Sequence, residues 1–181
     1  MKAHYTNHTV SIYFARAYLE RGRQLGLDCN ALMAYANLTP ALIADDRARL
    51  APYQLARLLH KVMVDGDDEF MGLAAERSRF GLFTLLSERL IHCQTLRDAL
   101  LETRRFYRLV TGSVLFEIHE AVDVTRLYVQ MTAPEQDPDF IMTELLMLIW
   151  HRFPSWLIAE VIPLNAVHMA MPVPQHNREY R

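Results

Sequence analysis

Leu96–Met131 reads LRDALLETRRFYRLVTGSVLFEIHEAVDVTRLYVQM. In its first half, Leu96, Ala99, Leu100, Tyr107 and Val110 recur at helical spacing, and Thr95 stands where a helix takes its cap. Past Gly112 the period changes to two. Val114, Phe116 and Ile118 alternate with Leu115, Glu117 and His119, and Leu127, Val129 and Met131 alternate with Arg126, Tyr128 and Gln130. The segment Glu120 to Asp123 supplies a turn, so the two runs read as a hairpin. Pairing His119 with Val124 sets Glu117 opposite Arg126, Phe116 opposite Leu127 and Val114 opposite Val129. Apolar then meets apolar on one face and opposite charges meet on the other. A helix followed by an antiparallel hairpin predicts a mixed α+β fold.

Upstream the chain is helical throughout. Thr9 or Ser11 can cap a helix running to about Arg23, and Asp28 can cap a short helix holding Leu32, Met33 and Tyr35. Pro40 and Pro52 each suit a first helical position, and Asp65-Gly66-Asp67 breaks the second of these helices. Phe70, Leu73 and Ala74 mark a further short helix, and Leu82, Leu85, Leu86 and Leu90 another. Downstream, a helix from roughly Pro138 to Arg152 is apolar nearly all round and is expected between layers, with Pro154 ending it. Val161 to Met169 reads as a further strand. Gln175 to Arg181 reads as a helix just begun, so the domain is read as truncated at its C-terminal end. The expectation is one domain over 1–181, with a helical annex over 1–80 and an α/β part over 81–181. In the latter, a small antiparallel sheet is covered by the Leu96–Val110 and Pro138–Arg152 helices.

Composition sets the class. The chain has 181 residues, 51% of them hydrophobic, which supports a real core rather than a long disordered tail. Its 19 Lys and Arg against 21 Asp and Glu lack the basic excess of a free-standing nucleic-acid binder. The segment Ala31 to Asp45 has a faint helix-turn-helix look without a basic second helix, and is read as packing. Two distant cysteines, Cys29 and Cys93, make neither a zinc motif nor a disulfide framework, and a reducing cytoplasm is the expected setting. Met1 to Thr9 lacks the apolar core of a secretory signal, and the apolar run Leu145 to Trp150 is too short to span a bilayer. The common phosphate-loop, nucleophile-elbow and metalloprotease motifs are missing from the sequence. His4 and His8 have a metal-compatible spacing but lie at a terminus, and His92 and Cys93 diverge by about 100° on a helix. No cofactor or metal is expected, and no catalytic residues are assigned.

The order and spacing of several short motifs resemble one family. These are Gly26-Leu27-Asp28, Ala31-Leu32, Leu38-Thr39-Pro40, Leu42, Asp45, Arg49, Gln54 and Leu58. Then come Ile91-His92-Cys93-Gln94-Thr95-Leu96, Ala99-Leu100 and Arg105-Phe106-Tyr107-Arg108-Leu109, and finally Pro172, Pro174, His176, Glu179, Tyr180 and Arg181. Together they resemble the N-terminal arabinose-binding-type effector domain of AraC/XylS-like transcription regulators. Where that family often has Gly, then Gly or Cys with an aromatic or His, this chain has Thr84, Ser87 and Glu88. A cavity there would have a different chemistry.

The resemblance implies the regulatory half of a transcription factor: a domain that senses a small-molecule effector and couples it to homodimer geometry and DNA-domain activity. DNA would be reached only through a C-terminal domain that lies beyond this sequence, and no membrane is implied. The effector pocket is expected between the Phe83–Cys93 helix, the Leu96–Val110 helix and the hairpin. There Phe83 would be an apolar wall, Ser87 and Glu88 polar selectors, His92 and Tyr107 hydrogen-bonding groups, and Arg104 with Arg108 a receiver for a carboxylate. For each, ordinary packing or a solvated helix face is the competing reading. Glu117 and Arg126 are expected as a surface pair, and Glu144, in a nearly all-apolar helix, is expected to face its wet side with Thr143 or to pair with a cation such as Arg152. Met142 and Met147 suit a core or an adaptable dimer surface. A dimerisation module without a ligand, and a small enzyme, are the alternatives.

Overall fold

The structure is a computed structural model, and it describes residues 9–174 and 176–180. His4 and His8 lie outside the described residues. The chain divides into two compact units, Met1–Met71 with Met171–Arg181, and Gly72–Ala170. The fold is mixed α+β, as the change of period predicts.

In the first unit, β1 (Val10–Ser11) leads into α1 (Ile12–Gln24), followed by α2 (Cys29–Tyr35), α3 (Pro40–Ala44), β2 (Arg49–Leu50) and α4 (Pro52–Gly66). The caps are local chemistry. Ser11 accepts from the Tyr13 N–H, Asp28 from those of Asn30 and Ala31, and Thr39 from that of Leu42. Ile12, Ala15, Leu32, Leu58 and Val62 are buried, and α1, α2 and α4 pack on one another. Gly22 leaves the space that Leu32 fills: a Cβ there would stand 2.5 Å from Leu32 Cδ1. β1 and β2 form an antiparallel pair, Val10 opposite Leu50 and Ser11 opposite Arg49. Arg49 also donates to the Thr9 carbonyl (2.8 Å) and to both carboxylate oxygens of Glu179 (2.8 and 2.9 Å), in a 3₁₀ turn over Asn177–Tyr180. His176 stacks on Tyr13 with ring centroids 4.1 Å apart.

The expected helix around Phe70 is a turn. Asp68 accepts from the Phe70 N–H, and Met71 and Gly72 take left-handed conformations (φ 52° and 71°) that a helix cannot continue through.

The second unit holds α5 (Leu82–Leu90), α6 (Leu96–Val110), β3 (Val114–Glu120), β4 (Thr125–Met131) and α7 (Ile141–Leu157). The strands make the expected antiparallel hairpin, with α6 against β3 and α7 against β4. The register differs by two residues. Phe116 faces Val129, Glu117 faces Tyr128 and His119 faces Arg126, around a turn closed by the Ala121 N–H on the Val124 carbonyl (2.9 Å). A slip of two keeps every side chain on its expected face, so the pattern alone does not separate the two registers. The pairing of Glu117 with Arg126 is therefore corrected. Glu117 binds Arg108 of α6 instead (2.5 Å).

The core of this unit is aromatic. Trp150 lies 4.8 Å from Phe116, 5.9 Å from Tyr107 and 6.3 Å from Phe83, centroid to centroid. α7 begins at Ile141, after Phe140 turns through φ 58°, because buried Asp137 accepts from the N–H groups of Met142 and Thr143 and from the Thr143 hydroxyl. Pro154 does not end α7. It removes only one intrahelical donor, and the helix runs on to Leu157, where the Ser155 hydroxyl donates to the His151 carbonyl (2.7 Å). Glu144 is buried in the first turn of α7. The strand expected over Val161 to Met169 is irregular. The Ile162 N–H donates to Ser155 Oγ (3.1 Å) and its carbonyl meets His151 Nε2 (2.9 Å), so side chains of α7 take the main-chain groups a strand partner would need.

Candidate functional site

The site is built by two amphipathic helices of the second unit. α5 turns Leu86 and Leu90 inward and leaves Leu85, Glu88 and Arg89 exposed. α6 starts at Thr95, whose hydroxyl oxygen accepts from the Asp98 N–H (3.1 Å) and donates to the Asp98 carboxylate (2.7 Å). Ala99, Thr103 and Tyr107, four residues apart, form its buried stripe. Thr103 settles its buried hydroxyl on the Ala99 carbonyl (2.9 Å). The remaining face carries Leu101, Glu102, Arg104, Arg105, Arg108 and Leu109.

Between the outward faces of α5 and α6 runs an open groove with two contiguous parts. One, of about 860 Å³, is lined by Arg89, His92, Cys93 and Asp98 together with Arg104, Arg105 and Arg108. The other, of about 550 Å³, is lined by Leu85, Phe106, Leu109 and Val110 together with Glu88, Arg89, His92, Glu102 and Arg105. Arg89, His92, Glu102, Arg105 and Leu109 border both parts.

Its electrostatics follow one rule twice. Glu102 Oε1 accepts from Nε (2.9 Å) and Nη2 of Arg89, while its Oε2 stands 3.9 Å from Arg105 Nη1. Glu117 Oε1 accepts from Arg108, while its Oε2 stands 3.7 Å from Arg104 Nη1. Each carboxylate thus holds one guanidinium by hydrogen bonds and a second only by charge. Desolvation, aided by Glu102 and Asp98, pushes the Cys93 thiol up, which keeps it protonated and a poor nucleophile.

Of the residues singled out in the sequence, Glu88, His92, Arg104 and Arg108 border this groove, Glu88 on its apolar part and the two arginines on its basic part. The other three are engaged elsewhere. Phe83 packs edge-on against Phe153 at 5.2 Å, the Ser87 hydroxyl donates to the Phe83 carbonyl (2.7 Å), and Tyr107 lies against Phe116 and Trp150 in the core. Arg89, Glu102 and Arg105 are added by the structure. The Glu102–Arg105 spacing was a signal within one helix, but Arg89 reaches Glu102 across two. Among the described residues, no group of three or more His, Cys, Asp or Glu side chains is placed to hold a metal, and no helix is long and apolar enough to cross a membrane.

The family model described as the arabinose-binding domain of AraC transcription regulators, N-terminal, matches residues 26–181. The chain belongs to this family. No curated protein and no solved structure matches it. The match starts at Gly26, where the sequence resemblance also starts, and takes in α2 through α7 with the whole α5–α6 groove. As an AraC-type arabinose-binding domain, the chain is of the ligand-sensing regulatory kind.

Proposed function

We propose that this AraC-type domain binds a small-molecule effector in the α5–α6 groove and passes the event to a homodimer and a DNA-binding domain outside this sequence. The observation that carries the reading is the groove itself, a basic part joined to an apolar part on a domain whose family senses ligands. Concave sites that mix apolar walls with a few placed polar groups are the ordinary form of a ligand site. Glu88, His92 and Arg104 would contact the effector, with Arg89, Arg105 and Leu109 beside them. Phe83 and Tyr107 would support the groove from the core side, and Ser87 would hold the α5 backbone.

Coupling requires that the effector bind one arrangement of the domain better than another. α6 provides a route: its outer face lines the groove and its inner face packs on β3 through Tyr107 and Phe116. A role in binding rather than catalysis fits the protonated state favoured for Cys93. Free Cys29 and Cys93 fit a reducing cytoplasm.

The second reading is a dimerisation module that needs no ligand. The exposure of Leu109 (75%) and Leu85 (56%) beside the groove favours it. The two readings separate in one experiment. The purified chain is screened by thermal denaturation against small acids, amines, sugars and lipids, and its oligomeric state is read by native mass spectrometry. The sensor reading expects at least one compound to raise the melting temperature by mass action. A dimer whose melting curve no compound moves supports the module.

A further inference from the structure

We infer that the effector class fitting the α5–α6 groove is an organic monocarboxylate with an apolar body, its carboxylate held by Arg104 and Arg105. This rests on the effector-site reading above and narrows it to one chemistry.

The inference comes from counting donors. Four arginines line the basic part of the groove, with Asp98 and Glu102 as its acidic members. Asp98 is engaged by Thr95 at the start of α6. Glu102 is held by Arg89, and Glu117 by Arg108. Arg105 and Arg104 stand second in line at 3.9 and 3.7 Å, beyond hydrogen-bond range of the carboxylates they face. Arg104 is only 34% exposed, so water does not fully satisfy its fork of donors. Both guanidiniums line the same part of the groove with donors to spare, and a planar carboxylate accepts two hydrogen bonds from a planar fork.

The adjoining part of the groove supplies the other half of the ligand. Leu85, Phe106, Leu109 and Val110 make an apolar floor continuous with Arg105. A polar dicarboxylate or sugar would leave that floor wet. An aliphatic or aromatic acid would cover it while its head reaches the arginines. Glu88, at the apolar end, repels a second carboxylate there and favours one acid group over two.

The test uses the whole chain and octanoate as probe, with octan-1-ol, octylamine and inorganic phosphate as comparators, read by titration calorimetry. Octanoate is expected to bind, octanol and phosphate at least about tenfold more weakly, since each lacks one half of the recognition. R105Q alters an exposed side chain and is expected to keep the fold. It and R104Q/R105Q should weaken octanoate by about tenfold or more, whereas R97Q, whose Arg97 pairs with Glu120 away from the groove, should not. Equal binding of octanol, equal binding of phosphate, octanoate binding indifferent to R104Q/R105Q, or no octanoate binding at all would each overturn the inference. If another compound from the broad screen still raises the melting temperature, the effector-site reading survives and the carboxylate class alone fails. If no small molecule of any class binds, both fail. Binding of an acidic peptide in place of octanoate would make the groove a protein-docking surface and would likewise overturn it.

Discussion

Glu102 of α6 accepts two N–H groups of Arg89 from α5 on a single oxygen, while its other oxygen faces Arg105 3.9 Å away. One carboxylate therefore ties the two helices that form the groove and also occupies charge that a ligand could use. E102Q should cost less than about 1 kcal/mol of stability, because the pair is at the surface. The same change should strengthen octanoate binding severalfold by releasing Arg89 and Arg105. Calorimetric titration of the variant beside denaturant unfolding reads both effects, and a variant that binds octanoate more weakly contradicts the account.

The aromatic core of the second unit should be the most sensitive to truncation. Phe116 is 2% exposed and lies 4.8 Å from Trp150 and 6.3 Å from Tyr107, which themselves stand 5.9 Å apart. F116A should lower unfolding free energy by about 3–5 kcal/mol, through lost burial and the cavity left behind. Urea denaturation followed by tryptophan fluorescence measures it. A loss under about 1 kcal/mol would show that the cluster is not a packed core.

Asp137 should matter more than its loop position suggests. It is 1% exposed and accepts three hydrogen bonds at the start of α7. D137A leaves buried donors unpaired and should cost about 2 kcal/mol. D137N keeps the shape and one acceptor, and should cost less. Equal unfolding midpoints for the two variants would argue against the cap.

The Arg49–Glu179 pair should make the first unit pH-dependent. The Arg49 hydrogen bonds, and more weakly the Ser11 N–H and nearby His176, hold the Glu179 carboxyl below the usual carboxylate range. A folded value below the unfolded one stabilises above the ordinary carboxylate value of about 4.3 and loses that stabilisation as pH falls through the folded value. E179Q should therefore be less stable than the parent at neutral pH by under about 1 kcal/mol, given the half-exposed guanidinium. The gap should close in acid. Unfolding curves at neutral and acidic pH check this, and a gap that widens in acid reverses the sign.

Much of the fold was legible from local chemistry. The caps Ser11, Asp28, Thr39 and Thr95 lie where their helices begin, and the change of period after Gly112 marks the hairpin. What escaped depends on contacts between one element and another. The hairpin register was open to a two-residue slip because both versions bury the same face, and Glu117 pairs with Arg108 of α6 rather than Arg126. Val161 to Met169 has strand-like composition, but Ser155 and His151 take the polar groups of Ile162. In the site, helical spacing put Arg104 and Arg108 on one face, and both face Glu117. The link from Arg89 to Glu102 joins two helices and left no mark in either one alone.

The central claim, that the α5–α6 groove is the effector site, is tested most directly by mapping amide chemical shifts of the isotope-labelled chain. The ligand is whichever compound from the screen most raises the melting temperature. The account predicts the largest perturbations at Arg89, His92, Arg105 and Leu109, with smaller ones reaching Tyr107 and Phe116. Perturbations centred on the first unit, with those four residues unmoved, would contradict it.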